Sequence, residues 1–160
     1  MTDTTQTLAP ALTRRGEGEA RWWFAALAEI TLTAEQTGGV LSIIEVTEPP
    51  GSAAPLHVHH REDETFWILE GEVAFEVGGT TIHAGAGAVV FGPRDVPHAY
   101  TAGDGGCRML FIMTPGGFEG LVRGMSLPAE DGTMPAPSGE EPDWERVASV
   151  AKDHGCELLG

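Results

Sequence analysis

Residues 51–71 read GSAAPLHVHHREDETFWILEG. In a strand, side chains two apart point the same way, so His57 and His59 can enter one cavity while His60 faces outward. Pro55 fixes the entry of that strand, and Arg61-Glu62-Asp63 read as a polar turn leading into Glu64 at the head of the next one. Glu64, Phe66 and Ile68 then share a face, which sets one carboxylate beside two imidazoles with apolar walls deeper in the same cavity. Downstream, residues 87–98 read GAVVFGPRDVPH, where Pro93 and Pro97 enforce an extended approach to a strand beginning near His98. Three neutral imidazoles and one carboxylate suit one divalent transition ion, iron first, with Mn, Ni, Co, Cu or Zn also admitted. They do not suit a calcium or magnesium cage built of oxygens alone. Four side chains leave an octahedral ion with open positions, as catalytic sites have.

The stretches around this core are of β type. VLSIIEV, TFWILEG, EVAFEVGG, TTIHAG, AVVFGP, HAYTA and RMLFIM follow one another between Val40 and Met113, separated by Gly, Pro and Asp. Val73, Phe75 and Val77 alternate with smaller or charged neighbours, and Gly78-Gly79 supplies the positive φ angles of a two-residue hairpin. The spacing predicts an all-β sandwich or barrel with no internal repeat. After Met113, Phe118, Leu121 and Val122 recur at helical spacing. Asp143 stands at an N-cap position before Trp144, Val147, Ala148 and Ala151 on one helical face ending near His154-Gly155. The expected organisation is a flexible arm over 1–19, a barrel over 20–126, a Pro-rich linker over 127–142 and a C-terminal helix over 143–160 that packs back on the barrel. Trp22-Trp23-Phe24 is expected on the core, or else at a lid or dimer contact; with the arm it suggests a homodimer.

Composition narrows the function. Nine Lys plus Arg against 24 Asp plus Glu give a net charge of −15 over 160 residues, a field that repels nucleic acids and anionic membranes. No apolar run nears the ~20 residues of a membrane span, and the polar start lacks a signal-peptide core, which points to the cytoplasm. Cys107 and Cys156 are far apart in no CxxC pair and are expected as free thiols. His60, His83 and His154 read as ordinary satisfied side chains, and the acidic run Glu62-Asp63-Glu64 as solvated turn except for Glu64.

The two motifs resemble those of the cupin superfamily. Gly51 through Gly71, with His57, His59 and Glu64, is similar to the first cupin motif at every spacing, and Gly87 through His98 to the second. Asp95 stands where that family usually has glycine, and Ala102 where it usually has asparagine. The similarity is nearest to the single-domain, quercetin-dioxygenase-like cupins. It implies a small jelly-roll β-barrel with a short C-terminal helical appendage, in which His57, His59, Glu64 and His98 bind the metal. On strand parity Phe66, Ile68 and Tyr100 are expected as substrate walls, the Tyr100 hydroxyl meeting a substrate oxygen or a strand carbonyl. Three functions share that pocket. One is a dioxygenase of small aromatic or enolic, flavonol-like compounds, using O₂ and Glu64 as ligand or proton acceptor. The others are a non-redox isomerase or polyketide-type cyclase, and a cupin that binds a small molecule without turnover.

Overall fold

The structure, a computed structural model, describes residues 7–160. Its strands are β1 (Glu19–Trp23), β2 (Ala26–Leu32), β3 (Ser42–Glu48), β4 (Ala53–His59), β5 (Asp63–Val77), β6 (Thr80–Gly85), β7 (Val89–Gly92), β8 (His98–Thr114), β9 (Leu127–Pro128) and β10 (Cys156–Leu158). Helices are α1 (Ala34–Thr37), α2 (Glu119–Met125) and α3 (Trp144–Asp153). The β-type runs therefore do become strands, and Gly78-Gly79, at φ 55° and 80°, close the hairpin that pairs Val77 with Thr80.

Two long strands organise the rest. β5 and β8 pair antiparallel from Asp63↔Thr114 to Val77↔His98, while β8 also pairs with β4 at one end and β3 at the other. The path β10-β4-β8-β3-β2-β1-β9, with β6 and β7 attached through β5, is jelly-roll-like and does not close into a ring. β5 and β8 bend together where the register shifts around Glu70 and Gly71. At that bend Gly71 has φ 78°, and a Cβ there would lie 2.2 Å from the Gly106 carbonyl oxygen. Gly106 has φ 72°, and its Cβ would lie 2.5 Å from the Glu48 carbonyl oxygen. Backbone meets backbone at both positions, so neither neighbour can yield.

The ends of the chain are more engaged than the sequence suggests. Residues 1–6 lie outside the described residues, but the remainder of the expected arm is tied down: Gly16 and Gly18 N–H donate to Glu29 Oε1 at 2.9 and 3.1 Å, and Arg15 lies 3.3 Å from Glu45. The expected linker starts with β9 on β1 and a buried Ala129. α3 begins at the Asp143 cap as expected, yet Ala148 is exposed, and the face turned inward is Val147, Val150 and Ala151. Past α3 the chain adds β10, which pairs Cys156 with His59 and Leu158 with His57. No described helix is long and apolar enough to cross a membrane.

The bend yields a stability prediction. Gly71→Ala should lower the unfolding free energy by about 2–4 kcal/mol, from the left-handed φ plus the backbone clash. Urea titration reads this as a lower midpoint at unchanged slope.

Candidate metal centre

β4 delivers His57 and His59 to one side of the strand, and β8 delivers His98 directly opposite His57 in register. Glu64, second residue of β5, enters from between β7 and the far end of β8, opposite Gly92 and Met113 in register. One donor atom from each of His57, His59, Glu64 and His98 lies within 4.8 Å of all the others. Glu64 Oε2 stands 2.9 Å from His98 Nε2 and 3.2 Å from His59 Nε2. His59, Glu64 and His98 are buried, and His57 is partly open. His60 points away, its Nδ1 2.6 Å from Asp95 Oδ1 in solvent. Asp95 has φ 63°, so the residue at the usual glycine position adopts the left-handed conformation that aspartate tolerates better than most side chains. Its N–H donates to the His59 carbonyl at 2.8 Å, fixing the end of the ligand strand.

The donor set fits a divalent transition ion for a reason internal to the structure. Both ring nitrogens of His59 are buried without a well-angled hydrogen-bond partner, although Glu62 Oε1 is 3.0 Å from Nδ1. A buried nitrogen without a partner is costly, and a cation shared with His57, Glu64 and His98 would answer it. Glu62, read from sequence as solvated turn, is instead 7% exposed and backs the His59 ring, as carboxylates behind metal-ligating histidines do.

Charge distribution follows from the same contacts. Burial, then repulsion from His98, pushes the His57 imidazole down to about 4, so it is neutral at pH 7. Burial also opposes charge on His59, but the Cys156 thiol and the Glu62 and Glu64 carboxylates outweigh it and raise the group to about 12. Burial favours the neutral acid at Glu64, yet His59 and His98 hold its carboxyl below the usual carboxylate range. A strong proton acceptor would need an apolar pocket to raise this carboxyl; the two imidazoles act in the opposite direction.

Above the cluster lies a cavity of about 260 Å³ whose lining includes His57, His59 and Glu64, with His98 behind them. Trp23 forms one wall together with Phe111 and Phe118, at centroid distances of 6.1 and 5.9 Å. At the mouth Phe24 stacks on Trp144 at 6.1 Å. Phe24 has φ 54°, a strained value for an aromatic residue in the turn between β1 and β2. Of the expected walls only Tyr100 lines the cavity. Phe66 and Ile68 are fully buried in the core, and Phe66 packs on His98 at 5.8 Å and on Phe75 at 4.8 Å. Strand parity gives the right face for them but not the depth, because side chains fill the interior below the cluster. The Tyr100 hydroxyl meets neither candidate partner from the sequence: it donates to Glu48 Oε1 at 2.6 Å.

A profile of the Cupin domain matches residues 44–113. The chain is 27% identical over 142 residues to the quercetin 2,3-dioxygenase of Bacillus subtilis (strain 168), covering 89% of this chain and 42% of that protein, so it spans less than half the length of this relative. Among solved structures, KdgF from Halomonas sp. superposes with TM-score 0.63 at 15% identity, over 69% of this chain and 98% of that one. The polyketide cyclase RemF from Streptomyces resistomycificus gives 0.57 at 21% identity, over 66% and 80%. At these identities the structures show a common fold.

Metal analysis tests the cluster. His57→Ala and His98→Ala should each abolish stoichiometric metal after reconstitution, His60→Ala should retain it, and Glu62→Gln should weaken affinity about 10–100-fold. Uptake should release a proton from His59, so apparent affinity falls as pH falls from 8 to 6; a pH-independent affinity contradicts the assignment.

Proposed function

The chain is a member of the cupin superfamily, and from that premise we propose that it is a metal-dependent dioxygenase of a small aromatic or enolic compound. The observation that carries the reading is a cluster of three histidines and a glutamate set at the floor of an aromatic-walled cavity. The 27% identity to a quercetin 2,3-dioxygenase supports the choice of oxygen chemistry. His57, His59, Glu64 and His98 are the residues proposed to hold the ion, iron first among the candidates. When bound, it supplies Lewis acidity toward an ionised substrate oxygen and redox chemistry with O₂.

The chain's own residues do the remainder. Glu64 borders the cavity as an unprotonated carboxylate, the state a proton acceptor needs, while His59 and His98 keep it a weaker base than a free glutamate. Glu62 holds the His59 ring at its angle. Trp23, Phe111 and Phe118 exclude water and favour a planar ligand. A cytoplasmic site of action accords with two buried free thiols. A homodimer is also part of the proposal. Exposed Trp67, Val89 and Phe91 on the outer face of β5 and β7 support it better than the tied-down arm does.

An oxygen electrode decides the main point. Protein loaded with Fe(II), Mn, Co or Ni should consume O₂ with a phenolic or enolic aromatic, and Glu64→Gln should keep much of its metal while losing turnover about 100-fold or more. Product formation under anaerobic conditions would instead make the protein an isomerase or cyclase. Ligand-induced thermal stabilisation with no product under any atmosphere would make it a binding cupin.

A further inference from the structure

Glu48 closes β3, is 6% exposed, and faces the cavity. No cation accompanies it among the described ion pairs. Its two oxygens instead accept from hydroxyls, Oε1 from Tyr100 at 2.6 Å and Oε2 from Ser52 at 2.5 Å. Ser52 and Tyr100 line the same cavity. A carboxylate has about four acceptor sites, so these two donors leave it with unfilled capacity, in a wall otherwise made of aromatic and aliphatic carbon. A carboxylate so placed has room for a further donor, and the cavity is one side from which it can come, Glu48 also bordering the groove beside Pro49 and Pro50.

The position relative to the metal ligands is fixed by β8. His98 and Tyr100 are two residues apart and point to the same side, roughly 7 Å along the strand. Tyr100 thus links the strand that carries His98 to Glu48, and the cavity lining holds two polar groups, the histidine cluster and Glu48 with Ser52, among aromatic side chains. We propose that Glu48 is a second binding pole, accepting a hydrogen bond from a hydroxyl or N–H group on the far edge of a one- or two-ring aromatic ligand whose other edge faces His57 and Glu64. Size supports the one- or two-ring limit. A cavity of about 260 Å³ lies just under the ~300–1,000 Å³ of pockets that take drug-sized ligands, which favours one or two rings over three. The inference rests on the cavity being the substrate site, and it names Glu48 as a specificity residue of that site.

Binding of 2-naphthol and of 2-methoxynaphthalene to the full-length protein, read by tryptophan quenching, tests the inference. The two probes share a ring system, and only the first donates a hydrogen bond. The metal-loaded protein should prefer 2-naphthol by about tenfold, and Glu48→Gln should reduce that preference to about twofold while metal content stays stoichiometric. Tyr100→Phe should retain the preference, because the Tyr100 hydroxyl donates to Glu48 and does not read the ligand. Should Glu48→Gln fail to fold, Glu48→Asp, which withdraws the charge by one methylene, should show the same loss. The preference should survive treatment with chelator, which separates this inference from the metal reading, since that one fails on metal content. Equal affinity for the two probes, or a preference kept in the Glu48 variants and lost in Tyr100→Phe, would overturn it.

Discussion

An imidazole buried between two carboxylates is the constraint from which the layout of this molecule follows. His59 has Glu62 at one nitrogen and Glu64 at the other, in a region nearly closed to solvent. Such a ring cannot be left neutral and unpartnered without cost, and its charge cannot be left unanswered. β4 is accordingly held on both flanks, by β8 and by β10, and its end is pinned where the Asp95 amide meets the His59 carbonyl. The bend of β5 against β8, made possible by Gly71 and Gly106, lets one strand carry both Glu64 and the far hairpin. Each of these devices limits how far the four donors can drift.

Much of this was legible in the residues. Period-two alternation places His57 and His59 together and His60 outside, and the structure agrees at all three. Gly78-Gly79 specifies its hairpin, and Asp143 its helix cap, by local chemistry alone. Alternation is silent on distance through the fold. Phe66 and Ile68 have the expected face but lie beneath the cluster, and Trp23, Phe111 and Phe118 form walls because two strands and the start of α2, remote in sequence, converge. Glu62 looked like turn because its neighbours are charged, and its burial depends on the register that brings His59 over it. β10 has no signature in the sequence for a different reason. CEL is too short for periodicity and acquires strand form only from its partner β4.

Glu48 and Glu64 show how one fold can give two buried carboxylates different characters. Glu64 is surrounded by imidazoles and is held ionised by them. Glu48 accepts from two hydroxyls, which fill part of its acceptor capacity and supply no compensating charge. The apolar space between them is where a ligand experiences both, and a fold shared with proteins of other chemistries leaves such wall residues to decide what binds.

The stack of Phe24 on Trp144 joins residues 120 positions apart in the chain. One partner belongs to the first hairpin, the other to a helix that hangs from the sheet by a proline-rich tether on one side and β10 on the other. The contact is held by the docking of that helix, whose Val147, Val150 and Ala151 turn inward and which β10 anchors to β4. Packing on the inward face of α3 therefore reaches the mouth of the cavity: a substitution at Val150 can shift Trp144 while the four clustered donors keep their places.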